Sequence, residues 1–111
     1  MKKGKINLFE LTPVISKHIT TEKEGELSVI AFPRFRSKFM QKYFIPKNKP
    51  AVIRIRLEEH GTAVWDLIDG QRTVREIADL LAEHFNHEPG YEYRITAFLG
   101  QLHKQGFINF K

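Results

Sequence analysis

The run Ala51-Val-Ile-Arg-Ile-Arg-Leu57 constrains the fold of this chain more than any other segment. Its side chains alternate, so Ile53, Ile55 and Leu57 share one face and Val52, Arg54 and Arg56 the other. A strand with one apolar row needs a neighbouring strand and a core beneath it. A row of arginines on its outer face suits an edge position, where charge deters unwanted pairing. The chain has 111 residues, of which 41% are apolar, enough for one domain with one core.

The other elements follow from their periods. Pro13–Thr21 is β-branched and roughly alternating, which predicts a strand. Residues 22–26 hold a glycine and no apolar side chain, so they read as a turn, and 27–32 as a second strand that makes 13–32 a hairpin. From Glu58 the period changes to that of a helix. Val64, Leu67 and Ile68 form one stripe, and Asp69-Gly70 ends it. Thr73-Val-Arg-Glu76 is a capping box opening a helix over 73–86, with Val74, Ile77, Ala78, Leu81 and Phe85 on its buried side. A third helix spans 91–105 on the stripe Ile95, Phe98, Leu99 and Leu102. Gly106 closes it, and residues 107–110 form a short extended tail. The expectation is an α+β fold of winged helix-turn-helix-like content: a three-stranded antiparallel sheet followed by three helices. Residues 1–12 are expected as a flexible tail and 13–111 as a single domain.

Charge divides the functional classes. There are 18 basic residues against 13 acidic, a net of +5. Arg34, Arg36, Lys38, Lys42, Lys47 and Lys49 all fall within 33–50, which holds no acid, so the rest of the chain is close to neutral. This segment is read as a basic, aromatic helical insertion between strands two and three. Arg34, Lys38 and Lys42 fall at i, i+4 and i+8, beside a stripe of Phe35, Phe39 and Tyr43. Such a helix lies on an anionic membrane or grips a partner. Alternatively its aromatics cover one end of the core and its lysines are merely solvated. Nucleic acid is disfavoured, because the helices that would read it carry as many acids as bases. Cysteine is absent, which excludes disulfides, thiolate metal sites and thiol nucleophiles. No apolar run reaches the length of a membrane span, and the N-terminus lacks a secretory h-region, so the cytoplasm is the expected location. His84 and His87 are three apart but have no third ligand at motif spacing, and Ser16, Ser28 and Ser37 have no nucleophile motif around them. Neither a metal, a cofactor nor catalysis is expected.

Residues 53–108 carry a more specific pattern. A strand ends in Leu57, and Gly61, Trp65, Ile68-Asp69-Gly70, Thr73-Val74, Glu76-Ile77, Leu81, Phe85, Phe98-Leu99, Leu102 and Gly106-Phe107-Ile108 follow. The pattern resembles the PqqD family, small peptide-recognition domains of pathways that modify ribosomally made peptides. The resemblance implies a winged-helix-like fold and a role without catalysis. A family member binds the leader of a precursor peptide as an added strand on its third strand, in a groove closed by its last helix. It then presents the leader to a modifying enzyme, often a radical S-adenosylmethionine protein. Carried onto this chain, the peptide-binding residues are Val52, Ile53, Arg54, Ile55 and Arg56 of the strand and Tyr91, Arg94, Phe98 and Gln101 of the helix. Arg54, Arg56 and Arg94 would suit an acidic leader, and Tyr91 and Phe98 would receive its apolar anchors, although Phe98 also fits the core. Arg34, Lys38 and Lys42 form the candidate patch for a partner or a membrane surface. Segment 33–50 is longer than the tight connection of the family's short members. A strand edge of this kind is also a candidate for homodimer pairing.

Overall fold

A computed structural model describes residues 7–33 and 52–111 of the chain. The fold is α+β, with a three-stranded antiparallel sheet and three helices. In chain order the elements are β1 (Pro13–Ile15), β2 (Thr20–Glu24), β3 (Leu27–Pro33), β4 (Val52–Arg56), α1 (Glu59–Trp65), α2 (Val74–Leu80), α3 (Tyr91–Lys104) and β5 (Ile108–Phe110). They fall into two compact units. One is Lys17–Thr62, and the other joins Ala63–Lys111 to the described part of Met1–Ser16. No helix among the described residues is long and apolar enough to cross a membrane.

In the unit Lys17–Thr62 the strand order is β2-β3-β4, antiparallel throughout. The β2–β3 hairpin turns at Gly25-Glu26 between the paired residues Glu24 and Leu27, and Gly25 has φ +64°. A two-residue loop with positive φ at its first central position is a glycine's place. This corrects the expected strand 13–21 and turn 22–26. The chain bends at Lys17-His18, so Pro13–Ile15 belongs to a different sheet and Glu22–Glu24 belongs to a strand. β3 is the middle strand and is buried on both faces, with Ile30 and Ser28 fully enclosed and Val29 and Ala31 nearly so.

The other unit is built on helices. The capping box forms as the sequence predicts: the Thr73 hydroxyl accepts from the Glu76 amide, and Glu76 Oε1 accepts from the Thr73 amide at 2.9 Å. The regular helix is shorter than 73–86; it stops at Leu80, and turns carry the chain to His87, where Asn86 and His87 both have positive φ. Likewise the helix expected over 58–68 is regular only from Glu59 to Trp65. Asp69 builds the turn that follows. Its Oδ1 accepts from the Gln71 and Arg72 amides at 2.8 and 2.9 Å, and its Oδ2 meets the Arg72 guanidinium at 3.2 Å. Those amides, with Arg72 adding its charge, hold the Asp69 carboxyl below its ordinary range. Tyr91 joins α3 to α2 through its buried hydroxyl, which donates to the Ala78 carbonyl at 2.9 Å. Burial, with Glu92 and Asp79 nearby, pushes that phenol above its usual value.

The stretch expected as a C-terminal tail is a strand. β5 pairs antiparallel with β1, Ile15 opposite Ile108 and Pro13 opposite Phe110. Part of the expected N-terminal tail is likewise tied down. Leu8–Glu10 makes a 3-10 turn, Leu11 accepts from the Val74 amide at 2.9 Å, and Glu10 meets Arg75 at 2.9 Å. The basic segment read as a helical insertion, and with it Arg34, Lys38 and Lys42, lies outside the described residues.

Candidate functional site

β4 has one strand neighbour, β3, among the described residues. Which of its backbone groups face outward follows from the end of the ladder. The Leu57 amide donates to the Ser28 carbonyl at 2.9 Å, so residue 57 lies on a hydrogen-bonded rung. Antiparallel rungs alternate, so Ile55 and Ile53 turn their N–H and C=O toward β3, while Arg56, Arg54 and Val52 turn theirs away. The reciprocal bond of the Leu57 rung is replaced by a side chain. Thr62 Oγ1 accepts from the Ser28 amide at 3.0 Å and lies 3.5 Å from the Leu57 carbonyl.

The side chains of β4 divide as the alternation requires. Ile53 and Ile55 share one face, but they are only partly covered: Ile55 keeps 37% of its surface in water. Val52, Arg54 and Arg56 share the other. The arginines, read from the sequence as an open positive row, are each held by a glutamate of β2. Arg54 Nε meets Glu22 Oε1 at 2.8 Å, and Arg56 meets Glu24 Oε1 at 2.5 Å. Both pairs cross β3, where the register sets Ala31 opposite Arg54 and Val29 opposite Arg56. The Glu22 carboxylate raises the Arg54 pKa by hydrogen bond and by charge. The row is thus zwitterionic. Glu22 and Glu24 were invisible to sequence reasoning, because residues assigned to a turn cannot be placed on a sheet face.

The α3 residues of the sequence prediction lie in the other unit. Tyr91 is buried. Arg94, Phe98 and Gln101 fall at i, i+4 and i+7, on one stripe. Arg94 is exposed, stacks 5.1 Å from the centre of the Phe85 ring and meets Glu88 at 3.2 Å. Phe98 is half-buried and Gln101 exposed.

A hollow in that unit, about 290 Å³, is lined by Phe9, Arg75, Ala78, Asp79, Glu92 and Tyr93. Arg75 is tied to Glu10 and lies over the Phe9 ring. No group of three or more His, Cys, Asp or Glu among the described residues could hold a metal ion. The Ser16 hydroxyl is engaged in packing, donating to the Gly106 carbonyl at 2.9 Å.

Comparison with known proteins bears on the same stretch. The family described as Coenzyme PQQ synthesis protein D (PqqD) matches residues 53–108. A protein of Rahnella aquatilis named PqqA binding protein is 34% identical over 56 residues, which are 50% of this chain and 59% of that one. No solved structure matches the chain. With half of its length matched, from β4 to the start of β5, the chain belongs to the PqqD family.

Proposed function

We propose that this chain is a non-catalytic domain that captures the leader of a ribosomally made precursor peptide and presents it to a modifying enzyme, of the radical S-adenosylmethionine type. The leader adds as a strand to the outward edge of β4, in a fold of winged-helix type. Family membership and the name of the Rahnella relative support a peptide partner. The observation that carries strand addition is the row of outward N–H and C=O groups at Val52, Arg54 and Arg56, on a strand with one neighbour among the described residues. An extended peptide satisfies such a row with main-chain hydrogen bonds. Arg94, Phe98 and Gln101 enter this reading through the family resemblance alone.

The test is titration of the full chain with N-terminal segments of the short open reading frames encoded beside it, followed by amide NMR. Binding with a micromolar or tighter constant, about −8 kcal/mol, is expected, with the largest shifts at Val52, Arg54 and Arg56. Arg54→Pro removes one outward donor and no β3 rung, so it weakens binding at least several-fold, the worth of one backbone hydrogen bond of about 1 kcal/mol. Absence of binding by every segment, or shifts confined to other elements, would overturn the reading.

A further inference from the structure

Arg54 and Arg56 are the long side chains that a strand added to β4 would meet on the face they share, and both are already engaged. The outward rungs lie at these two residues, so each would stand directly opposite a peptide residue, with Cβ atoms about 5 Å apart on the same face. Glu22 and Glu24 sit two strands away from β4, about 10 Å across the sheet. The registers align Glu22 with Arg56, so each pair is diagonal, and the arginine and glutamate side chains together span the gap. On this face β3 sets Ala31 opposite Arg54, Val29 between Arg56 and Glu22, and Leu27 opposite Glu24, so the Arg54–Glu22 pair passes between Ala31 and Val29 and the Arg56–Glu24 pair between Val29 and Leu27. The arginines keep 55% and 62% of their side-chain surface in water and the glutamates 40% and 60%, so each pair is a surface pair.

We propose that Glu22 and Glu24 are resident competitors that set the charge selectivity of the β4 edge, so that it takes extended peptides uncharged at the two positions beside Arg54 and Arg56 in preference to acidic ones. The inference rests on the strand-addition reading and names the class of peptide it admits. An acidic side chain at either position gains an arginine only by releasing a glutamate. It exchanges one exposed ion pair for another and leaves a carboxylate unpaired, so the net gain is close to nothing. A basic side chain meets an arginine beside it and is repelled. A neutral one leaves both pairs intact and adds its main-chain hydrogen bonds. Without the two glutamates the same edge becomes a cationic row and its preference turns toward acids.

A random dodecapeptide display library is selected against the full wild-type chain and against E22Q/E24Q and E22D/E24D variants. Glutamine keeps the shape of these exposed side chains and removes the charge, while aspartate keeps the charge. Wild type and E22D/E24D are expected to enrich peptides lacking Asp and Glu at the two alternating positions, and E22Q/E24Q to enrich them there. A selected neutral peptide and its version with Glu at both positions are then titrated. The acidic version gains about fivefold per arginine on E22Q/E24Q at low salt, the upper range for an exposed pair, and the gain shrinks in 1 M salt. Adding Arg54→Gln and Arg56→Gln to that variant abolishes the gain, which shows that the glutamates act through the arginines. The same charge preference in all three proteins, with amide shifts still at β4, overturns this inference and leaves strand addition standing. No enrichment by any of them, or shifts away from β4, overturns strand addition itself.

Discussion

β3 and β4 are neighbours in one sheet, joined residue by residue from Val29–Arg56 to Pro33–Val52, yet they meet water very differently. On β3, Ser28 and Ile30 on one face and Val29 and Ala31 on the other are all buried. On β4, Arg54, Ile55 and Arg56 are all exposed, although Ile53 and Ile55 alternate with the arginines as cleanly as any amphipathic strand. Alternation assigns a side chain to a face, and the number of neighbouring strands then decides how far that face is covered. The middle strand has its backbone satisfied on both sides and supplies rigidity. The outer one keeps one row of polar backbone available, at the cost of contributing little to the core.

That contrast can be broken by four variants of decreasing effect, each followed by urea denaturation. Ile30→Ala empties a site with no exposed surface and should cost about 2–5 kcal/mol. Thr62→Val tests the bridged rung where the two strands meet α1. It removes the buried hydrogen bond from the Ser28 amide to the Thr62 hydroxyl, so a loss of about 1–3 kcal/mol is expected, larger than a threonine's size would suggest. Ile55→Ala changes the same side chain type as the first substitution, one strand over, and should cost under about 1 kcal/mol. Equal costs for Ile30→Ala and Ile55→Ala would erase the distinction between the strands. Smallest of all is Glu22→Gln with Glu24→Gln. The change in stability stays below about 1 kcal/mol and disappears in 1 M salt, because both pairs are solvated.

Much of this arrangement was legible in the sequence, and the misses share a cause. The β4 alternation, the Thr73–Glu76 box and the α3 stripe are properties of adjacent residues, and all three stand where the sequence puts them. The bend at Lys17-His18 carries neither Gly nor Pro, so nothing local separates β1 from β2. β5 is three residues long and earns its strand only by pairing with β1 across nearly the whole chain. The arginine row of the candidate site was visible, but its neutralisation was not. Bringing Glu22 within diagonal reach of Arg54 requires the registers of two strand pairs, which align it with Arg56 through Val29, and neither register is written in a spacing.

The β1–β5 ribbon also bears on the order in which the molecule assembles. The β2–β3 hairpin closes a two-residue loop, an event of microseconds. The ribbon joins Pro13 to Phe110, and its outer hydrogen bonds tie Thr12 to Lys111. Contacts of that separation form late, because the intervening chain must be ordered before they repay their closure entropy. During synthesis β1 is made long before β5 and waits for it. A ribosome stalled before residue 108 would hold a chain whose hairpin is complete and whose first strand is still searching for its partner.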